Sequence, residues 1–94
     1  MLRLLAAHGL PVPVCQYPVT RRDGRTAYLD FAYPDRRVAI EVDGNGSHAT
    51  PAARSADNER SNQLPDWRFV RFTYEDVTGR GNAVAATVAL HLTS

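Results

Sequence analysis

Lysine is absent from this sequence, and cysteine occurs once. The single thiol, Cys15, excludes an internal disulfide, and its apolar, β-branched neighbours suggest inert packing in a cytoplasmic protein. With no cysteine cluster and no pair of histidines at ligand spacing, structural zinc is not expected either. No apolar run approaches the roughly 20 residues needed to cross a bilayer, so no membrane partner is expected. The opening Met-Leu-Arg-Leu-Leu-Ala-Ala is too short for the apolar stretch of a secretory leader and reads as a helix. Neither sign of charge dominates: the formal net charge is +1, and no global basic field announces a nucleic-acid partner. All eleven cationic residues are arginine, the side chain that grips phosphate with paired N–H donors. Genomic base composition gives the same bias, so arginine usage decides little.

What is present is an ordinary globular composition, 44% hydrophobic over 94 residues, which points to one hydrophobic core and a single domain spanning 1–94. A chain of this size hides only about 60–65% of its unfolded surface. A metal or a partner chain would add stability, and a homodimer is compatible with that need.

Leu2, Leu4, Leu5 and Leu10 suit a short amphipathic helix over residues 2–8, ended by Gly9 and by Pro11 and Pro13. Strands over 12–19 and 26–33 flank the turn signal Arg22-Asp23-Gly24 and should form a hairpin. A second turn, Tyr33-Pro34-Asp35-Arg36, leads into a strand over 37–43, in which Val38, Ile40 and Val42 share one face. Asp43-Gly44-Asn45-Gly46 stops that strand. Thr50-Pro51 has the form of an N-cap followed by proline in the first turn, opening a polar helix over 51–64. Its apolar residues Ala52, Ala53, Ala56 and Leu64 make only a narrow stripe, and Pro65 ends it. Residues 67–72 alternate as a fourth strand, and 82–92 form a closing amphipathic helix. The order is αβββαβα, an α/β arrangement without repeats or linkers.

The chemistry-bearing residues are acids. Glu41 and Asp43 fall on one side of their strand by alternation. If residues 34–37 form a four-residue link, Tyr33 pairs with Val38 and Asp30 faces Glu41; a two-residue link makes them diagonal neighbours. Either register puts Asp30 and Glu41 on one face. Facing like charges destabilise a sheet unless they are well solvated or share a cation. Carboxylate oxygens suit Mg²⁺ or Mn²⁺. The competing reading is a wet sheet face carrying acids for solubility.

Leu29-Asp30-Phe31, then Glu41-Val42-Asp43-Gly44 after the ten residues that separate the acids, and His48 resemble the PD-(D/E)XK pattern of restriction-endonuclease-like proteins. The likeness is particularly to domain of unknown function 559, which is related to the very-short-patch repair endonucleases. It runs on through Asp57, Arg60, Trp67-Arg68-Phe69-Val70-Arg71-Phe72-Thr73 and Asp76-Val77-Thr78. The resemblance implies an αβββαβ core, with a mixed four-stranded sheet flanked by helices, and a metal-dependent endonuclease acting on nucleic acid, DNA above all. It makes Asp30, Glu41 and the Val42 carbonyl the metal ligands. Asp43 stands where the superfamily usually has lysine, so Asp43 and His48 become the residues that position the attacking water. Arg60 and Arg71 become phosphate ligands. On the helix itself Arg60 has another use, an ion pair with Asp57 one turn earlier. Phe31, Trp67, Phe69 and Phe72 read as core rather than base-stacking groups. The alternative function is a catalytically inactive nucleic-acid-binding or protein-interaction module that retains the fold.

Overall fold

The computed structural model describes residues 1–43 and 51–93, apart from the side chains at 43, 51–54, 56 and 57. The elements are α1 (Leu2–Ala7), β1 (Val14–Thr20), β2 (Thr26–Tyr33), a 3-10 turn (Pro34–Arg36), β3 (Val38–Asp43), α2 (Pro51–Gln63), β4 (Arg68–Thr73), α3 (Tyr74–Gly79) and α4 (Gly81–Thr93). The four strands form one mixed sheet in the order β1-β2-β3-β4. The first two pairings are antiparallel and β3 with β4 is parallel. A parallel pair needs a crossover, and α2 supplies it.

The sheet carries a cluster on each face, because alternate residues along β3 and β4 point to opposite sides. Val38, Ile40, Val70 and Phe72 join Tyr33, Leu5 of α1, and Val84 and Val88 of α4. The intervening Ala39 and Phe69 join Ala32, Leu29, Tyr17, Trp67 and Leu64, which directly follows α2. Ala32 and Ala39 are register partners, and two small side chains at that spot let Leu64 approach the strands closely. Leu5, Val38, Ile40 and Val88 are at most 1% exposed, and each buried side chain of this kind stabilises the fold by roughly 1.5–3 kcal/mol. Among the described residues no helix is long and apolar enough to cross a membrane.

Several details differ from the sequence reading. The first strand begins at Val14 rather than residue 12, leaving Val12 78% exposed ahead of it. Cys15 is exposed rather than packed, because β1 is an edge strand with solvent beside it. Phe72 is buried as expected, whereas Phe31, Trp67 and Phe69 are half-buried at the cluster margins. An additional short helix, α3, follows β4, making the order αβββαβαα. Its six residues are too few to show a helical period, and a capping box creates it. The Thr73 side chain accepts from the Asp76 N–H, and the Asp76 carboxylate accepts from the Thr73 N–H, each at 3.0 Å. The N-cap expected at Thr50 and the turn over 44–46 lie outside the described residues.

Two irregularities shape the site. Arg37, at φ +54°, closes the 3-10 turn in the left-handed region, which fixes the β2–β3 register with Tyr33 opposite Val38. Further along β2 the facing of side chains shifts. Phe31 and Tyr33 pack in one cluster, whereas Ala27 and Leu29, also odd-numbered, pack in the other. The shift falls at Asp30. Across from it on β1, between the paired positions Cys15–Phe31 and Tyr17–Leu29, Gln16 adopts φ +50°.

Candidate functional site

The β2–β3 ladder runs through Tyr33–Val38, Ala32–Ala39 and Phe31–Ile40, the register of a four-residue link. At the next facing pair, Asp30 and Glu41, side chains take over from the backbone. The Asp30 N–H donates to Glu41 Oε2 at 3.0 Å, and the Val42 N–H donates to Asp30 Oδ2 at 3.2 Å. Each carboxylate therefore bonds the other residue's strand, and the two acids are held at one point where the sheet loses its regular pairing. Both residues are half-buried.

Burial pushes the Glu41 carboxyl above its ordinary range, and the charge of Asp30 and a direct hydrogen bond to its side chain push in the same direction. The Asp30 N–H and the Arg60 guanidinium pull the other way without reversing the shift. A carboxylate that is costly to ionise beside a second acid is stabilised by any cation that reaches it.

Arg60 is that cation within the chain. From the last turn of α2 its Nη2 lies 2.8 Å from Glu41 Oε1 and donates to the Tyr28 carbonyl at 2.6 Å. Its Nε is buried with no partner among the described residues. The resting contact thus reaches across to β3; the ion pair along the helix with Asp57 involves a side chain that lies outside the described residues. Leu64, one turn beyond Arg60 and 3% exposed, turns this helix face toward the sheet, since residues four apart share a face.

Arg71 is the register partner of Glu41 on β4. Its neighbours Val70 and Phe72 point into the opposite cluster, so Arg71 shares the α2 side with Glu41. Its guanidinium carbon is 5.0 Å from the Phe69 ring centroid, and Nη2 donates to Ser61 Oγ at 3.3 Å. The structure thus brings Asp30, Glu41, Val42, Arg60 and Arg71 together. Asp43 lies on β3 opposite Thr73, but its side chain, and all of His48, fall outside the described residues.

Among the described residues no group of three or more His, Cys, Asp or Glu side chains stands ready to hold a metal ion. The chemistry of Asp30 and Glu41 nevertheless fits Mg²⁺ or Mn²⁺: the donors are hard oxygens, and Mg²⁺ commonly takes one or two carboxylates and keeps waters elsewhere. A cation there would share Glu41 with Arg60. Among the described residues, cavities also lie away from the acids. One, of about 530 Å³, is lined in part by Tyr17, Arg21, Arg37 and Trp67. Another, of about 570 Å³, is lined in part by Leu10, Val12, Val14 and Leu92.

The sequence reading did not foresee three participants. The Tyr28 carbonyl and Ser61 Oγ, which receive the two arginines, carry no pattern that marks them. Nor does any sequence signal announce a left-handed glutamine opposite Asp30.

Fold and site together define a small α/β protein with a paired-carboxylate centre flanked by arginines. No protein-family model matches the chain, and no solved structure matches it. It is similar to uncharacterized proteins of two Mycobacterium tuberculosis strains, CDC 1551 (Oshkosh) and H37Rv, at 38% identity over 87 residues in each. The match covers 90% of this chain but only 32% of each relative's length.

Proposed function

We propose that this protein is a cytoplasmic metal-dependent endonuclease of the restriction-endonuclease-like superfamily, akin to domain of unknown function 559, and that it hydrolyses phosphodiester bonds in nucleic acid, DNA in particular. The observation that carries the reading is the mutual clasp of Asp30 and Glu41 at the break in the β2–β3 ladder. A fold does not need to press two carboxylates together, and doing so lowers stability unless a cation is shared. Asp30, Glu41 and the Val42 carbonyl would hold Mg²⁺ or Mn²⁺, which when bound polarises a phosphodiester and lowers the pKa of a water. Arg71, and Arg60 once drawn from Glu41, supply donors for phosphate oxygens. Asp43 ends β3, His48 follows it closely in sequence, and both are assigned to orienting the attacking water. A homodimer would place two such centres on one duplex.

Nicking of supercoiled plasmid in Mg²⁺ or Mn²⁺ tests the reading, with Asp30→Ala and Glu41→Ala as controls. Wild-type nicking that both substitutions abolish is expected. Equal activity in all three proteins would place the chemistry elsewhere.

One observation favours a second reading, a catalytically idle nucleic-acid-binding or protein-interaction module. Arg60 already neutralises Glu41 at 2.8 Å, so the acids are partly compensated by the chain itself. Calorimetry separates the two. Absence of divalent-metal binding, together with salt-sensitive DNA binding that survives Asp30→Ala, supports the idle module.

A further inference from the structure

Gln16 is the anomaly in the sheet, at the point where the facing of the paired strands β1 and β2 shifts from one cluster to the other. It is an exposed residue of an edge strand, and it sits at φ +50°. Left-handed backbone is uncommon for a residue with a Cβ and marks places where a chain stores strain for use. Regular pairing continues on both sides, at Cys15–Phe31 and at Tyr17–Leu29, so the departure is confined to one residue. That residue faces Asp30. Irregularities of this kind re-aim a side chain at a sheet edge, and the flanking pairs place Gln16 on the strand next to Asp30. The side-chain amide has no hydrogen-bond partner among the described residues. It therefore retains an acceptor and two donors beside a centre otherwise lined by acids and arginines.

We propose that Gln16 is a substrate-binding residue of the Asp30–Glu41 centre, its side-chain amide donating to a non-bridging oxygen of the bound phosphodiester. The inference rests on the nuclease reading above and deepens it. A neutral donor suits the position, since a third cation would compete with the metal for the carboxylates and a third acid would repel the phosphate. The left-handed backbone then has a purpose: it turns the side chain of an edge strand toward the ligand on β2 and β3.

The full chain is compared with Gln16→Gly, Gln16→Asn and Gln16→Glu in thermal melting and in plasmid nicking. Glycine adopts φ +50° without strain and removes the amide, so Gln16→Gly should melt higher and yet cleave ten- to a hundredfold more slowly, about the contribution of one hydrogen bond to a charged group. Asparagine tolerates the left-handed region and keeps a shorter amide, so it should recover part of the loss. Glutamate keeps the length but removes the donor, and should raise KM the most. Glycine and asparagine variants that gain stability and nick at the wild-type rate would show Gln16 to be only a kink in an edge strand, leaving the nuclease reading intact. A wild-type protein that shows no Glu41-dependent nicking overturns both together.

Discussion

Replacing Leu64 by alanine is the most direct probe of how the fold positions the site. Leu64 is 3% exposed and sits just beyond α2, against Leu29, Ala32 and Ala39. Two of the four buried members of that cluster are alanines, too short to reach into the hole from the sheet beneath. Such a change in an unyielding pocket costs about 3 kcal/mol. A domain of 94 residues has a total stability of about 5–14 kcal/mol at ordinary per-residue values. The loss is therefore a large fraction of the whole and should lower Tm by roughly 12–24 °C, at 4–8 °C per kcal/mol. The damage should also be local. Arg60 lies one turn before Leu64, and its contacts with Glu41 and the Tyr28 carbonyl depend on the helix end staying on the sheet. Melting by circular dichroism gives the first quantity, and native-state hydrogen exchange over α2 the second. A Tm change under about 3 °C, or α2 amides protected as in wild type, would refute the idea that Leu64 anchors this helix. Val88→Ala, in the opposite cluster, should lower Tm while leaving Arg60 in place.

Glu41→Gln should raise the metal-free Tm more at pH 8 than at pH 4. The folded carboxyl is shifted upward by burial, so its favourable contribution is present in acid and lost as pH rises through the folded value; a pH series of melts on both proteins checks this. Arg60→Gln removes a group that lowers the Glu41 carboxyl, so the Glu41 titration followed by NMR should move higher still. Thr73→Ala removes the N-cap of α3 and should cost about 1 kcal/mol in urea unfolding. The Asp76 carboxyl of the same box is held low by the Thr73 N–H, so that stabilising contact should persist above the ordinary aspartate range and fade as pH falls below it.

Much of the architecture is legible in residue order. Alternation in Trp67-Arg68-Phe69-Val70-Arg71-Phe72 marks β4 and even assigns Val70 and Arg71 to opposite faces, because period two is a property of any extended chain. Pro11, Pro13 and Pro65 fix where helices cannot continue, because proline lacks the N–H and its ring blocks the preceding turn. The facing of Asp30 and Glu41 follows from the length of the link once Tyr33 pairs with Val38. Less legible are α3, which depends on a four-residue cap, and the exposure of Cys15, which depends on β1 having no neighbour on one side.

By itself, then, the sequence determined which segments are strands and helices, α3 excepted, and that two acids share a sheet face, since these follow from local geometry and periodicity. The tertiary structure alone decided what surrounds those acids. That Arg60 reaches across to Glu41, that Arg71 turns to Ser61, that the Glu41 carboxyl is driven upward, and that Gln16 is bent into the left-handed region opposite Asp30 all depend on contacts between segments far apart in the chain. Distance in space and exclusion of water, which set the strength of every charge interaction, are not written in the spacing of residues.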